Sequence, residues 1–263
     1  MTENLLKSIL GTAIVLFFSS CDEILNVEII GDGNIKTETR EFGSFEELSL
    51  NADFKLSLTN GSPSVEVVAD SNLLTYIETE IVGSELQVSV KPNFQIVPRQ
   101  PVRIYVSVDD RFSGVEITDG GTVIADSLWT QKLNLAVYGV SNFVGDTLGA
   151  QALNVFSEGS TNIDIKGSFD DLSIRQIGSG NIFLEGYSEF GSIILEGSGK
   201  IDSQHLTIGN GKIKLYGSGL VLCRIIGTLT AEIEGNGRIY YYGIPTNLIK
   251  KIEGEGLVLP ADD

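Results

Sequence analysis

Residues 174–201 read IRQIGSGNIFLEGYSEFGSIILEGSGKI, and this stretch decides the fold. It contains two Gly-Ser-Gly turns, which begin at Gly178 and Gly197. Apolar and polar side chains alternate before and after each turn, a pattern typical of a β-strand with one buried face. Glycine allows a positive φ angle or a close approach of two backbones at a corner. Each unit is therefore predicted to be a strand, a glycine turn and a second strand.

The same unit recurs along the second half of the chain. If the first residue of each turn is taken as an anchor, the anchors are Gly139, Gly159, Gly178, Gly197, Gly217, Gly235 and Gly254. Four places after them stand Phe143, Ile163, Ile182, Ile201, Val221, Ile239 and Val258. Four places before them stand Leu135, Val155, Ile174, Ile193, Ile213, Ala231 and Lys250, which are apolar in all copies but the last. The frame extends back to Asp119, and an isolated copy, GDGNI, occupies residues 31–35.

A repeat of about 19–20 residues built only from strands predicts a β-solenoid, in which each coil pairs with the coils above and below it. Leucine-rich repeats are excluded because the units lack a helical side and an Asn or Cys ladder. Calcium-binding glycine repeats place Asp after the glycines. Here Asn181, Lys200 and Leu220 stand there, which argues against a calcium roll. We expect the residues four places from each anchor to form buried apolar columns.

The segment before the repeats has sparser glycines and longer alternating strands. Residues 54–58, 65–67, 86–90 and 102–108 alternate cleanly. A short helical turn is predicted at residues 70–74, with Asp70 or Ser71 as its N-cap. We therefore expect an all-β fold in which a starting β region with one short helical turn caps the repeat stack.

The order of these motifs resembles the autotransporter adhesin head GIN domain family of secreted and lipid-anchored bacterial proteins. The resemblance rests on the GDGNI copy at residues 31–35, the ADSNLL block at residues 69–74, the strands at 86–91 and 102–108, and the Gly-Ser-Gly repeats. It covers about residues 29–258. The resemblance implies a right-handed β-helix and supplies no catalytic residues. Residues 119–121 and 139–141 depart from the glycine pattern.

The N-terminus predicts a lipoprotein signal. The apolar run at residues 9–18 is shorter than the roughly 20 residues of a membrane span, follows Lys7 and precedes two serines and Cys21. The sequence FSSC at residues 18–21 resembles a bacterial lipobox, in which a peptidase cuts before the cysteine and its sulfur carries a diacylglycerol. An ordinary signal followed by an incidental cysteine is the alternative. Cys21 is therefore the predicted lipid attachment site, which implies the envelope of a Gram-negative bacterium and an outer-membrane lipoprotein.

These features divide the chain into four parts. They are a signal peptide at residues 1–20, a linker at 21–28, a starting β region at 29–112 and glycine-rich solenoid repeats at 113–263.

Composition restricts the chemistry. With 35 acidic and 18 basic residues the net charge is −17, so the chain lacks the basic footprint that nucleic acid requires. A single His and two Cys leave little for zinc sites or a disulfide framework. We expect no cofactor, no metal and no nucleic-acid partner.

Few residues are candidates for catalysis or ligand binding. Two acidic clusters with a nearby base, residues 109–111 (DDR) and 170–175 (DDLSIR), would suit a β-helical polysaccharide lyase or hydrolase. Adjacent carboxylates on a strand point to opposite faces, so water-facing turns are the expected location of Asp109, Asp110, Asp170 and Asp171. His205 is interpreted as a polar turn residue, and Trp129 and residues 240–242 (YYY) as aromatic surface for a sugar or as terminal packing. The expected function is non-enzymatic adhesion or structural binding to a surface glycan or protein through an acidic face; a carbohydrate-active enzyme is the alternative.

Overall fold

The computed structural model describes residues 26–262. Within that part of the chain the elements are β1 Val27–Ile30, β2 Ile35–Arg40, β3 Glu47–Asn51, β4 Lys55–Asn60, β5 Ser64–Asp70, a 3₁₀ helix Leu74–Tyr76, β6 Ile77–Val82, β7 Glu85–Val90, β8 Phe94–Val97, β9 Arg103–Val108, β10 Gly114–Thr118, β11 Thr122–Gly139, β12 Asn142–Gly159, β13 Asn162–Gly178, β14 Asn181–Gly197, β15 Lys200–Gly217, β16 Leu220–Ile225, β17 Thr228–Gly235, β18 Arg238–Tyr242, β19 Asn247–Glu253 and β20 Leu257–Ala261. None of these elements is a helix long and apolar enough to cross a bilayer.

Successive coils pair in parallel, displaced by one repeat, and this confirms the β-solenoid. Ile182 pairs with Ile163 in the preceding coil and with Ile201 in the following coil. All residues four places after an anchor are buried. The residues four places before an anchor are buried as well, except Lys250 in the last coil. The predicted apolar columns are therefore confirmed, and they form one continuous core.

The anchor glycines lie at coil corners with positive φ, from 71° at Gly139 to 127° at Gly235. A Cβ on Gly197 would lie 2.5 Å from the carbonyl oxygen of Gly178, one coil earlier. These corners therefore need glycine both for its conformation and for its lack of a side chain. Asp119, at the head of the frame, has a φ of 54°, which Asp tolerates better than most residues.

The stack continues into the first half of the chain. β10 pairs in parallel with β3, and the beginning of β11 pairs with β4, so that Leu48 lies against Val115 and Leu56 against Val123. β3 and β4 also pair with β7 and β9 on their other side. Strands β3 and β4 thus lie between β7 and β9 on one side and β10 and β11 on the other, all of which come later in the sequence. Antiparallel β5 on β9, β2 on β5 and β6 on β7 close this end of the stack.

A set of polar contacts, the N-terminal clasp, joins the two motifs that carried the family resemblance. Asp70 is fully buried and accepts hydrogen bonds from the backbone N–H groups of Gly33 (2.5 Å) and Arg99 (2.9 Å). The Arg99 Nε donates to the carbonyl oxygen of Gly31 (2.8 Å). Asn72 bonds the backbone on both sides of Gly31. The GDGNI copy is therefore a loop fixed by the ADSNLL block.

A short helical turn is present, but it spans Leu74–Tyr76 rather than residues 70–74, and its predicted N-cap is wrong. The 3₁₀ helix begins after Leu73, and no side chain caps it. The Asp70 carboxylate belongs to the clasp instead, and the Ser71 hydroxyl donates to Asp32 Oδ2 (2.6 Å). Both candidate caps therefore bond the GDGNI loop rather than the helix.

The other end of the stack is open. Among the described residues β19 pairs only with β17 and β20 only with β18, so each leaves one edge unpaired. Lys250 occupies the last apolar-column position, where its Nζ donates to the carbonyl oxygen of Val258 (2.9 Å) and lies 5.5 Å from the ring centroid of Tyr241. Pro260 removes one N–H from β20. A charge and a proline thus blunt an edge that would otherwise pair with another chain.

Candidate functional site

The first acidic cluster, Asp109, Asp110 and Arg111, stabilises a turn after β9. Arg111 Nη2 donates to Asp109 Oδ2 (2.8 Å), the Ser44 hydroxyl donates to the same oxygen (2.6 Å), and the Arg111 N–H donates to Oδ1 (3.1 Å). These bonds, above all that from Arg111, hold the pKa of the Asp109 carboxyl well below its ordinary value. Asp109 is therefore an ionised acceptor with its oxygens engaged, which does not suit a general acid.

The second acidic cluster does not converge. Asp170 and Asp171 are both exposed between the buried residues Phe169 and Leu172, so strict alternation breaks where β13 turns a corner. Arg175 does not complete this cluster, because its Nε bonds Glu196 Oε1 (2.9 Å) on the next coil. These aspartates face solvent, as expected, but they lie within strand β13, so the expectation of a turn is wrong for both.

His205 is exposed, but the expectation that it lies in a turn is wrong. It belongs to strand β15, and its ring centroid lies 6.0 Å from that of Phe183. The pairing register between β14 and β15 shifts between Phe183 and Glu185, directly beside His205. The irregularity of register accounts for an exposed polar residue within the strand.

The tyrosine run packs at the end of the stack. All three tyrosines are partly buried in β18. Tyr241 lies under Lys250, and Arg224 lies 5.8 Å from the Tyr242 ring centroid. Terminal packing therefore explains these rings. Trp129, by contrast, is 59% exposed.

One outward face carries a groove that sequence reasoning missed. We call it the amide groove and define it by Asn142, Asn162, Asn181, Asp164 and Phe183; it encloses about 580 Å³. The three asparagines stack on neighbouring coils, with Asn162 Nδ2 donating to Asn142 Oδ1 and Asn181 Nδ2 donating to Asn162 Oδ1, both at 3.3 Å. Their signal was present in the sequence, because each stands three places after an anchor in consecutive copies. The expectation that the repeats carry no Asn ladder is therefore wrong for these three coils.

The second column of the amide groove alternates acids with an apolar ring. Asp164 pairs in register with Phe183, and Phe183 with Asp202. Asp164 Oδ1 is buried without a hydrogen-bond partner among the described residues. Asp202 is only 8% exposed and pairs with Lys200 Nζ at 2.9 Å. The groove therefore offers donors, acceptors and an apolar floor, which suits binding of a neutral polar ligand.

The remaining reactive groups do not form a centre. No cluster of three or more His, Cys, Asp or Glu positioned for a metal ion occurs within residues 26–262. Cys223 is buried, and burial raises the pKa of its thiol to about 12, so the unreactive protonated form dominates at neutral pH. Cys21, the predicted lipid attachment site, lies outside the described residues.

Known proteins share this fold. The family model described as "Putative auto-transporter adhesin, head GIN domain" matches residues 44–245. A "putative lipid binding protein" structure from Parabacteroides distasonis shares 24% identity at a TM-score of 0.82 and covers 89% of this chain and 99% of its own. A "putative adhesin" from Parabacteroides merdae shares 20% identity, also at 0.82, with the same coverage. A second P. distasonis "putative adhesin" shares 19% at 0.80 and covers 89% and 100%. The chain matches none of the curated proteins.

Proposed function

The chain belongs to the auto-transporter adhesin head GIN domain family, and on that premise we propose that it is a non-enzymatic adhesion module of the bacterial cell envelope. The structures that resemble it are described as adhesins or as a lipid binding protein. Those descriptions belong to the other proteins, and their identities to this chain establish only the common fold. The assignment of an adhesion function to this chain therefore depends on the residues on its own surface.

The amide groove is the observation that carries the proposal. Its asparagines present the same amide on three successive coils, so a ligand with repeated polar groups meets a recurring amide contact, whereas the second column changes from Asp164 to Phe183 to Asp202. Repetition of weak contacts raises the overall affinity without any single strong site. The net charge of −17 favours neutral or cationic ligands over anionic ones.

Catalysis is disfavoured by the same structure. An acid, a base or a nucleophile must converge on one point. Asp109 is bonded to Arg111 and Ser44, and Arg175 is bonded to Glu196. The polysaccharide lyase or hydrolase alternative gains no support from either cluster.

We test adhesion with arrays of glycans and host proteins, using the chain from residue 22 onward, because the described residues form one continuous core. Saturable binding without change to the bound ligand supports the proposal. Cleavage of a glycan that disappears in Asp110→Asn or Asp171→Asn, with the melting temperature unchanged, would establish an enzyme instead. Absence of binding to every array component would contradict the adhesion function.

The proposal includes a lipid anchor on Cys21. Cys21→Ala is expected to abolish incorporation of labelled fatty acid and to release the protein from the membrane fraction. Cys223→Ala is the matched control, because its thiol is buried inside the solenoid, and it should change neither result. Membrane association and labelling that persist in Cys21→Ala would refute the anchor.

A further inference from the structure

A second outward face of the solenoid carries two exposed aromatic rings, which lie three strand spacings apart. Trp129, Gly149, Ser168 and Tyr187 pair in register on four successive coils; we call them the aromatic row. Trp129 is 59% exposed and Tyr187 is 46% exposed. Three strand spacings, roughly 14 Å in all, separate the two rings. Only a glycine and a serine lie between them, so no large side chain interrupts the path.

Trp129 is held in place although it is exposed. Its backbone N–H donates to Asn60 Oδ1 (2.7 Å), and its backbone carbonyl oxygen accepts from Asn60 Nδ2 (3.4 Å), so Asn60 fixes the backbone at this position. A Cβ on Gly149 would collide with the six-membered ring of the indole. The ring therefore covers the Gly149 backbone on one side and presents its other side to solvent. The exposed face of the indole is therefore free to contact a ligand.

The flank of the aromatic row is polar and acidic. Asp146, Lys166 and Glu185 are exposed on consecutive coils beside it, with Lys166 Nζ 3.8 Å from Asp146 Oδ1. These groups accept and donate hydrogen bonds at the edge of the aromatic surface. Their charge opposes anionic partners, including the anionic lipids of a membrane surface.

The strands beneath the aromatic row also exclude one mode of peptide binding. Trp129 to Tyr187 lie on β11 to β14, and β12 and β13 pair with strands on both sides. No free backbone edge is available there for an added peptide strand. A ligand on this surface therefore contacts side chains and not an unpaired strand edge.

We propose that the aromatic row binds a linear neutral glycan that lies along the solenoid axis, with sugar rings stacked on Trp129 and Tyr187 and hydroxyls bonded by the acidic flank. This inference depends on the proposed adhesion function and adds to it a contact surface separate from the amide groove, with a stated ligand class. Aromatic rings offer large contact area with little conformational freedom to lose. Two such rings on one rigid stack make the binding multivalent.

Trp129 is the only tryptophan in the chain, so its fluorescence reports directly on this surface. We expect cellohexaose, xylohexaose or mannohexaose to shift Trp129 emission saturably, and the corresponding neutral polysaccharide to retard the protein in affinity electrophoresis. Trp129→Ala and Tyr187→Ala should each weaken retardation about tenfold, which corresponds to about 1.4 kcal/mol. Trp129→Phe should retain part of the affinity. Tyr105→Ala is the control, because Tyr105 is 44% exposed but lies on β9, outside the row.

The outcomes separate the inference from the function on which it depends. Adhesion on the arrays that is unchanged in Trp129→Ala and Tyr187→Ala, with melting temperatures unchanged, overturns the aromatic row and leaves the adhesion function intact. A Trp129 shift caused by polygalacturonate, by anionic vesicles or by a peptide, but by none of the neutral oligosaccharides, overturns it as well. If the wild-type chain binds no component of the arrays, the adhesion function itself is refuted.

Discussion

Replacing Ile182 by Ala removes three carbon atoms from the centre of a stacked apolar column. Ile182 is 1% exposed and pairs with Ile163 and Ile201 on the coils to either side. At about 0.8 kcal/mol per buried carbon, the transfer term is roughly 2.4 kcal/mol. The neighbouring coils are held in register and cannot collapse into the space, so a cavity term raises the expected loss to about 3–4 kcal/mol.

Thermal unfolding followed by circular dichroism measures this loss. For a domain of this size, about 3 kcal/mol lowers the melting temperature by roughly 6–12 °C. Ile182→Asp places an unpaired charge at the same point and should cost more. Ile249→Ala is the matched control: it makes the same chemical change at a side chain that is 48% exposed on β19, and a loss below about 1 kcal/mol is expected there. Equal melting temperatures for Ile182→Ala and Ile249→Ala would refute the inward assignment of the column.

Three further predictions concern a corner, the buried thiol and the open end. Gly178→Ala should lower the free energy of unfolding, measured with denaturant, by about 2 kcal/mol. The reason is that Gly178 has a φ of 117° and that a Cβ there would lie 2.5 Å from the carbonyl oxygen of Gly159, the preceding anchor. Gly43→Ala is the control: a Cβ there has nothing within 4 Å, and the expected loss is about 0.5 kcal/mol or less. Cys223 should resist alkylation at pH 8, as read by peptide mass spectrometry. Because its pKa rises from 9.0 to about 12 on folding, its contribution to stability is full below pH 9 and is lost as the pH rises towards 12; rapid native-state alkylation would contradict this. Lys250→Ile should produce concentration-dependent association in sedimentation experiments, and an unchanged monomer mass would show that Lys250 does not protect the edge.

The repetitive part of the fold could be predicted because its information is local. An anchor such as Gly178 and the apolar residues four places from it recur with a fixed period, and in-register stacking then buries Ile163, Ile182 and Ile201 together. The single polar exception, Lys250, was visible in the sequence as well. Its meaning was not, because only the structure shows that its column ends there.

The N-terminal clasp could not be predicted because its partners are far apart in the chain. Asp70 is 37 residues from Gly33, and no periodic pattern relates them. The local sequence predicts that Asp70 or Ser71 caps a helix. Their side chains instead form long-range hydrogen bonds to the GDGNI loop. The amide groove was predictable only in part. The recurrence of Asn162 and Asn181 is visible in the sequence, whereas the groove that they line together with Asp164 depends on the stacking of the coils.

The position of β3 and β4 between two later strand pairs has a consequence for how the chain folds. On one side these strands pair with β7 and β9, and on the other with β10 and β11. The residues before β3 supply none of these partner strands. Both edges of β3 and β4 are therefore paired only after β7, β9, β10 and β11 have been synthesised. From β12 onward each coil needs only the one before it. We therefore expect slow folding around β3 and β4, where the contacts are distant in sequence, and propagation between neighbouring coils in the rest of the stack.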